Sequence, residues 1–375
     1  MAPVKLNSLL IHFTHLPDPR LERRRLHELG DILCIMVCAV LCGADSFVDM
    51  EKYGKAKLPW LKTFLELANG IPSHDTFDRV LGRLDPEAFR RCFLGWIESL
   101  ARAKGLKQIA IDGKTLRRSF DNIKGLAAVH VVSAWAVENH LTLGQQAVDE
   151  KSNEITAIPQ LLDMLDIQDA VVTIDAMGCQ KEIAARIREK DGDYVLMLKD
   201  NQPNLLADVQ QAFITAAEND YREGDHDVYE SSEKAHGRVE TRTVHTLRAP
   251  DTIRHQNKWR DLRTIGMVYS ERRVNGAEPS GELRYFISSL QASAKDHGRA
   301  IRGHWGIENS LHWILDVSFR EDDCRVRKHH GPENFAMIRR FAVSLLKQSP
   351  VKGGVHCKRL QAGWDNDILL AILGA

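Results

Sequence analysis

The sequence predicts an α/β protein in which an all-helical N-terminal domain precedes a mixed sheet that carries a β-rich insertion. Apolar residues recur at helical spacing up to about residue 100, and β-branched runs alternate with helical runs from residue 107 onward. A polar region with strand-like runs lies between about 201 and 282. We therefore expect a helical domain at 1–105, an α/β domain at 106–348 and a C-terminal tail at 349–375.

Two helix starts are legible in the N-terminal domain. Ser73 precedes one helical run, and Asp85 precedes Pro86 and Glu87 at the start of another. Serine and aspartate cap helix N-termini, proline is tolerated in the first turn, and an acidic residue is favourable there. The apolar run that ends at Gly43 is too short for a bilayer, since a membrane span needs about 20 residues. We expect no membrane partner.

The strands of the second domain follow a particular order. QIAIDG is the first strand, LAAVHVVSAWAV and LTLGQQAV form a hairpin, and VVTIDA and DYVLMLK follow, with a helix before and after VVTIDA. The order β-β-β-α-β-α-β differs from that of a doubly wound nucleotide fold. The strands are also not accompanied by the glycine-rich phosphate loop that such a fold carries. The order is typical of a ribonuclease-H-like mixed sheet.

Charge and cysteine content restrict the class of protein further. The 375 residues include 51 basic and 51 acidic side chains, so any site for a polyanion must be local. Seven cysteines without CxxC spacing, and no basic-apolar leader, favour a reduced, cytoplasmic compartment.

Three acidic residues are candidates for a metal site. Asp112 and Asp175 each follow an apolar strand, and Glu308 lies in a helical run four residues from His304 and from His312. A buried carboxylate must be paired, wet or bound to a cation, and oxygen ligands suit Mg²⁺ or Mn²⁺. The alternatives are that the aspartates form turns and that Glu308 is a solvated helix residue.

Four motifs in a fixed order carry a family resemblance. They are IDGKTLR at 111–117, TIDAMGCQ at 173–180, KDNQP at 199–203 and HWGIENSLHWILDV at 304–317. Each motif is weak by itself, but together they resemble the DDE transposases of bacterial insertion sequences, in the group of the H-repeat-associated proteins. The resemblance implies that Asp112, Asp175 and Glu308 form a catalytic acidic triad that binds two divalent cations, Mg²⁺ or Mn²⁺.

Local basic residues are candidates for DNA contact. Lys114, Arg117 and Arg118 follow the first aspartate and suit phosphate binding, although a solvated face offset by acidic residues 321–323 is the alternative. With the resemblance we assign further DNA-binding positions in or beside the motifs: Lys199, Arg302, His304, Trp305, Asn309 and His312. Hydrogen-bonded core histidines and core packing of Trp305 are the competing interpretations for three of these positions.

The resemblance also implies a reaction and its partners. The expected activity is metal-dependent strand cleavage and strand transfer of an insertion element, with its terminal inverted repeats and target DNA as partners. We expect a homodimer on DNA and a cytoplasmic protein that associates with the nucleoid when active. The rival functions are a purely hydrolytic nuclease and a catalytically silent, DNA-binding descendant of a transposase.

Overall fold

The computed structural model describes residues 11–102, 106–120, 127–148, 153–222, 225–235, 237–274, 278–291 and 293–374. The chain divides into two compact units. The first, here called the helical unit, comprises Met1–Gly105, Gly113–Lys151 and Glu308–Ala375. The second, here called the sheet unit, comprises Leu106–Asp112 and Ser152–Ile307. The three segments expected from the sequence stay predictions, and the contacts place the first and last of them in the same unit.

The α-helices of the described residues are, in chain order, α1 (Leu29–Leu41), α2 (Phe47–Leu61), α3 (His74–Arg83), α4 (Pro86–Arg102), α5 (Glu154–Met164), α6 (Lys181–Glu189), α7 (Pro203–Glu218), α8 (Ala294–Ile307), α9 (Trp313–Val317), α10 (Gly331–Gln348), α11 (Val355–Trp364) and α12 (Asn366–Leu373). The strands are β1 (Gln108–Thr115), β2 (His130–Ala136), β3 (Leu141–Val148), β4 (Val171–Ile174), β5 (Asp193–Leu198), β6 (His226–Ala235), β7 (Arg238–Arg248), β8 (Thr264–Val274) and β9 (Ser280–Ser288). In the part of the chain that is described, no helix has the length and apolar character needed to cross a bilayer.

The strands form one nine-stranded sheet in the order β3-β2-β1-β4-β5-β9-β8-β7-β6. Strands β1, β4 and β5 run parallel to one another. The pairs β2–β3, β5–β9, β9–β8, β8–β7 and β7–β6 are antiparallel. The parallel pairs are joined through helices, as parallel strands require. This architecture confirms the predicted ribonuclease-H-like mixed sheet preceded by helices.

The β-rich insertion continues the same sheet. Helix α7 comes first, and strands β6 to β9 then add to the sheet because β9 pairs with β5 from Val195↔Ser288 to Leu198↔Tyr285. On one face of these strands, Val244, Val268 and Phe286 form a core with Ala300 of α8. The insertion thus places helix α8 on the sheet instead of forming a layer of its own.

Buried basic side chains hold the helical unit together. The predicted C-terminal tail is helical, and Arg359 on α11 donates from Nη2 to the carbonyl oxygen of Val40 at 2.9 Å. The adjacent Lys358 donates to the carbonyl oxygens of Leu346 and Ser349 at 2.7 and 3.0 Å. Since the last carbonyls of a helix have no partner within the helix, these cations satisfy the C-terminal ends of α1 and α10.

One of the two predicted helix caps forms in this unit. Asp85 accepts from the backbone N–H of Ala88 at 2.7 Å. Helix α3 begins directly after Ser73, but the Ser73 side chain makes no capping hydrogen bond. Ser46 and Asp49 form a reciprocal capping box at the start of α2.

Candidate active site

Asp112 and Asp175 lie side by side on neighbouring parallel strands. The register pairs Ile111 of β1 with Ile174 of β4, so that Asp112 is the next residue of β1 and Asp175 directly follows the end of β4. Neighbouring strands are about 4.8 Å apart, so the two backbone positions are close. One detail differs from the sequence prediction: Asp112 does not end its strand, because β1 continues to Thr115.

A tight loop follows Asp175. Its Oδ1 accepts from the backbone N–H groups of Met177 and Gly178 at 3.2 and 3.4 Å. A Cβ at Gly178 would come within 2.3 Å of the Ile174 side chain, so glycine is needed there. Asp175 therefore forms a turn through Oδ1, as one of the two interpretations expected. Its Oδ2 takes no part in these two hydrogen bonds.

The KDNQP motif fixes this loop from the neighbouring strand end. Asn201 donates from Nδ2 to the carbonyl oxygen of Ala176 at 2.7 Å, and Gln202 donates from Nε2 to that of Cys179 at 3.0 Å. Both side chains follow β5, which is parallel to β4. The motif thus holds the loop after Asp175, a role that the sequence did not indicate.

The electrostatics of Asp175 reflect its surroundings. Burial raises the pKa of its carboxyl above the ordinary value, and the nearby carboxylates of Glu154 and Asp112 raise it further. The N–H of Gly178 and the imidazole of His304 act in the opposite direction. Like charges disfavour one another, so a cation between these carboxylates would stabilise their ionised forms.

A buried hydroxyl connects this strand end to helix α8. His304 is buried, and its Nδ1 lies 3.2 Å from Oγ1 of Thr173, which also accepts from Gln108 Nε2 at 3.3 Å. Gln108 Nε2 also donates to the carbonyl oxygen of Ala300 at 2.6 Å. A Cβ on Gly303 would come within 2.3 Å of the Gln108 side chain, so this glycine lets the helix approach β1.

Glu308 begins a π-helical turn, Glu308–His312, that follows α8 directly. The sequence spacing assumed regular α-helix and placed His304, Glu308 and His312 on one face. His304 is buried, Glu308 is exposed and His312 is half-buried. A π-turn widens the helix and changes its phase, so the i, i+4 geometry of a regular α-helix does not apply from Glu308 to His312. Such turns are frequent at functional sites.

The residues present suit a divalent cation. Among the described residues, no group of three or more His, Cys, Asp or Glu side chains is arranged to hold a metal ion. Mg²⁺, however, commonly takes one or two protein carboxylates and completes its shell with water and substrate phosphates. Asp112 and Asp175 supply that number of hard oxygen ligands at one sheet edge, and the metal site stays a proposal.

The basic cluster after Asp112 is largely neutralised by acidic partners. Lys114 is buried, and its Nζ lies 2.7 Å from Asp316 and 3.0 Å from Asp322. Arg117 Nε lies 3.1 Å from Asp322, but the Arg117 side chain is 77% exposed. Arg118, 3.5 Å from Asp323, is also exposed. The two arginines can reach a phosphate, whereas the ammonium of Lys114 is already held by two carboxylates.

The other predicted DNA-binding residues lie in different environments. Lys199 and Asn309 are exposed. Arg302 forms a bidentate ion pair with Glu233, with N–O distances of 2.9 and 3.1 Å. Trp305 is half-buried and lies against Arg284, whose guanidinium carbon is 5.5 Å from the ring centroid.

Sequence reasoning missed several contributors. The sequence assigns no role to Gln108, Thr173, Gly303 or Glu154 beyond their places in strands and helices. A glutamine at the start of an apolar strand and a glycine in mid-helix were the available signals, since both are costly without a tertiary reason. The number of arginines on β7 to β9 was a further signal.

This fold and this pair of aspartates define a class: proteins with a ribonuclease-H-like mixed sheet and carboxylates on neighbouring parallel strands. Comparison with known families assigns the chain within this class. Residues 103–346 match the transposase DDE domain, and residues 10–97 match the DDE_Tnp_1-associated domain. The chain belongs to the DDE transposase family, whose members are polynucleotidyl transferases, and it is a DNA transposase.

Similar proteins span nearly the whole chain. The "H repeat-associated putative transposase YhhI" of Escherichia coli K12 is 40% identical, over 99% of this chain and 98% of its own. The "Putative transposase YncI" of Escherichia coli O157:H7 is 39% identical, over 95% and 92% respectively. A solved piggyBac transposase synaptic complex with hairpin DNA aligns with a TM-score of 0.40 at 9% identity, covering 98% of this chain and 76% of that one. That likeness is too distant to support a conclusion about this chain.

Proposed function

We propose that the protein cleaves DNA at the ends of an insertion element and joins the freed 3′ ends to target DNA, with Asp112, Asp175 and Glu308 as its acidic triad. The observation that supports this best is the β1–β4 register, which brings Asp112 beside Asp175. Glu308 enters through the family resemblance. Terminal inverted repeats and target DNA are the proposed partners, bound by a homodimer in the bacterial cytoplasm.

Asp112 and Asp175 would hold divalent cations, Mg²⁺ or Mn²⁺, with Glu308 as the third carboxylate. Such cations, when bound, lower the energy of charge that develops on phosphate oxygens. The chain's own contribution is to hold these carboxylates in place. The Met177 and Gly178 N–H groups fix Asp175, and the Gln108–Thr173–His304 bonds fix the strands beneath it.

The exposed arginines beside the first strand suit contact with DNA phosphates. Arg117 and Arg118 are exposed, and arginine binds phosphate through two parallel hydrogen bonds. Lys114 contributes indirectly, since its ion pairs with Asp316 and Asp322 hold the segment that carries both arginines.

A strand-transfer assay tests this proposal. Purified protein would be incubated with Mg²⁺, a labelled duplex that carries a candidate element end, and an unrelated supercoiled plasmid. We expect labelled product covalently joined to the plasmid. Release of a cleaved end without joining would indicate a hydrolytic nuclease, and binding of the duplex without cleavage would indicate a silent descendant. Either outcome would overturn the proposal.

A further inference from the structure

An arginine-lined groove lies in the sheet unit between strands β7 to β9 and helix α8. Its cavity volume is about 340 Å³. The charged and aromatic side chains that line it include Arg238, Arg242, Arg272, Arg284, Arg302 and Trp305. Among the described residues that line it there is no lysine, so its positive charge comes from planar guanidinium groups.

Strand register explains why these arginines share a face. Arg242 of β7 pairs with Ser270 of β8, and Glu240 pairs with Arg272. Side chains two residues apart on a strand point to the same side, so Val244, Arg242 and Arg238 follow one another on one face of β7. Val244 belongs to the core under α8, whereas the arginines beyond it line the groove.

Some of these arginines form ion pairs with glutamates. Glu233 lies 2.9 Å from Arg302 and 3.4 Å from Arg242, and Glu240 lies 2.5 Å from Arg242. Glu282 lies 2.6 Å from Arg284. Five arginines against these three glutamates leave an excess of two positive charges.

Two arginines account for that excess. Arg238 and Arg272 line the groove, and neither forms an ion pair within the described ranges. Arg272 is exposed and Arg238 is half-buried. Both guanidinium groups are therefore available to an anion that enters the groove.

We propose that this groove binds the phosphodiester backbone of DNA, as a contact site in the insertion that is distinct from the two strand-borne aspartates. The proposal rests on the transposase function proposed above and adds a specific DNA-binding surface to it. Guanidinium forks match the paired oxygens of a phosphate, and the guanidinium carbon of Arg284 lies 5.5 Å from the centroid of the Trp305 ring. Entering phosphates would replace Glu233 and Glu240 as partners of Arg302 and Arg242.

Matched arginine substitutions in the full-length protein test the site. Arg272 faces the groove, whereas Arg273, the next residue, lies on the opposite face of β8 and pairs with Glu271. Binding of a fluorescein-labelled DNA duplex of arbitrary sequence would be measured by anisotropy over a series of salt concentrations. Each phosphate contact contributes about 0.9 to the slope of log affinity against log salt. We expect Arg272→Ala to reduce the slope by about 0.9, Arg238→Ala/Arg272→Ala by about 1.8, and Arg273→Ala to leave it unchanged.

A substitution that strengthens DNA binding complements the arginine variants, because misfolding can explain a loss of affinity but not a gain. Glu233→Gln removes the carboxylate that occupies Arg302 and Arg242, and Glu271→Gln removes an equal charge on the other face. We expect DNA binding to become severalfold tighter in Glu233→Gln and to stay unchanged in Glu271→Gln. Equal effects on the two faces, an unchanged slope in Arg238→Ala/Arg272→Ala, or competition by polyglutamate as strong as by unlabelled DNA would each overturn the proposal.

The groove and the triad can fail separately. If amide substitutions of the triad abolish cleavage while the groove variants bind as the unmodified protein does, only the groove proposal fails. If the groove variants lose affinity while triad variants still cleave, the groove stands and the proposed triad fails.

Discussion

The imidazole of His304 lies against the hydroxyl of Thr173, with 3.2 Å between Nδ1 and Oγ1. His304 belongs to helix α8, and Thr173 lies on β4 two residues before Asp175. The same hydroxyl accepts from Gln108 on β1. One buried side chain therefore connects the helix to both strands that carry the aspartates.

Replacing this hydroxyl by a methyl group should destabilise the protein. Thr173→Val keeps the shape of the side chain but leaves Gln108 Nε2 and His304 Nδ1 without this partner. Losing a buried hydrogen-bond partner costs about 1–3 kcal/mol, so we expect the free energy of unfolding in urea to fall by about that amount. Thr241→Val, at an exposed hydroxyl pair on β7, is the control and should change it far less. Equal stability of the two variants would contradict the proposed connection.

The triad predicts a loss of chemistry without a loss of fold. Asp112→Asn, Asp175→Asn and Glu308→Gln keep the side-chain shape but remove the charge that holds divalent cations. We expect each variant to lose DNA cleavage in Mg²⁺ while circular dichroism and DNA binding stay near those of the unmodified protein. Asp251→Asn, at an exposed aspartate outside the site, should cleave normally. Near-normal cleavage by any triad variant would remove that residue from the triad.

The basic cluster should separate into binding and structural parts. Arg117→Ala/Arg118→Ala removes two exposed cations and should reduce the salt slope of DNA affinity by about 1.8, from about 0.9 per contact. Lys114→Met leaves Asp316 and Asp322 without their shared ammonium, and because both carboxylates are partly exposed, this should lower the free energy of unfolding by about 1–3 kcal/mol. Salt titrations and urea titrations on both variants check this division. An unchanged slope in the arginine variant would assign the cluster to a solvated, acid-neutralised face.

The ion pair of Arg340 and Glu321 predicts strong coupling in the helical unit. Their side chains are 2% and 0% exposed, and Nη1 lies 3.1 Å from Oε1. Removing one partner leaves an uncompensated buried charge, so Arg340→Met should cost about 3–5 kcal/mol. Arg340→Met/Glu321→Leu should recover much of that loss. Urea unfolding of the two single variants and the double variant measures the coupling, and strictly additive losses would contradict it.

Two histidines in the insertion predict a loss of stability in acid. His226 Nε2 lies 3.1 Å from His245 Nδ1, and burial lowers the pKa of both below the ordinary value of 6.5. Because the pKa is lower in the folded state, the unfolded chain binds more protons over that interval. The stability that the pair contributes is therefore fully present above pH 6.5 and is lost as the pH falls through the folded-state pKa.

Urea unfolding at a series of pH values checks this expectation. The free energy of unfolding should fall between about pH 7 and about pH 5, and His245→Gln should make that fall shallower because one titrating group is removed. An identical pH dependence in the variant would exclude the pair as a cause.

Much of the site was predictable because its signals are local. An apolar run followed by aspartate predicts a strand that carries a carboxylate, and the order of the runs predicts which strands become neighbours. Asp112 and Asp175 follow from such patterns, and the β1–β4 register places them at the same level. The phase of the helix at Glu308 did not follow, because a π-turn depends on the packing around it and not on residue spacing.

The sequence by itself determined the order of helices and strands, the mixed sheet and its insertion, since hydrophobic periodicity acts over a few residues. Only the tertiary structure decided which charges neutralise one another. Lys114 meets Asp316 and Asp322 about two hundred residues further along the chain, and Arg359 reaches the end of α1 from the C-terminal helices. The physical reason is that such pairs form when folding brings distant segments together and removes water from them, which strengthens their attraction and makes a partner necessary. Local sequence records the charge of Lys114 but not the partners that bury it.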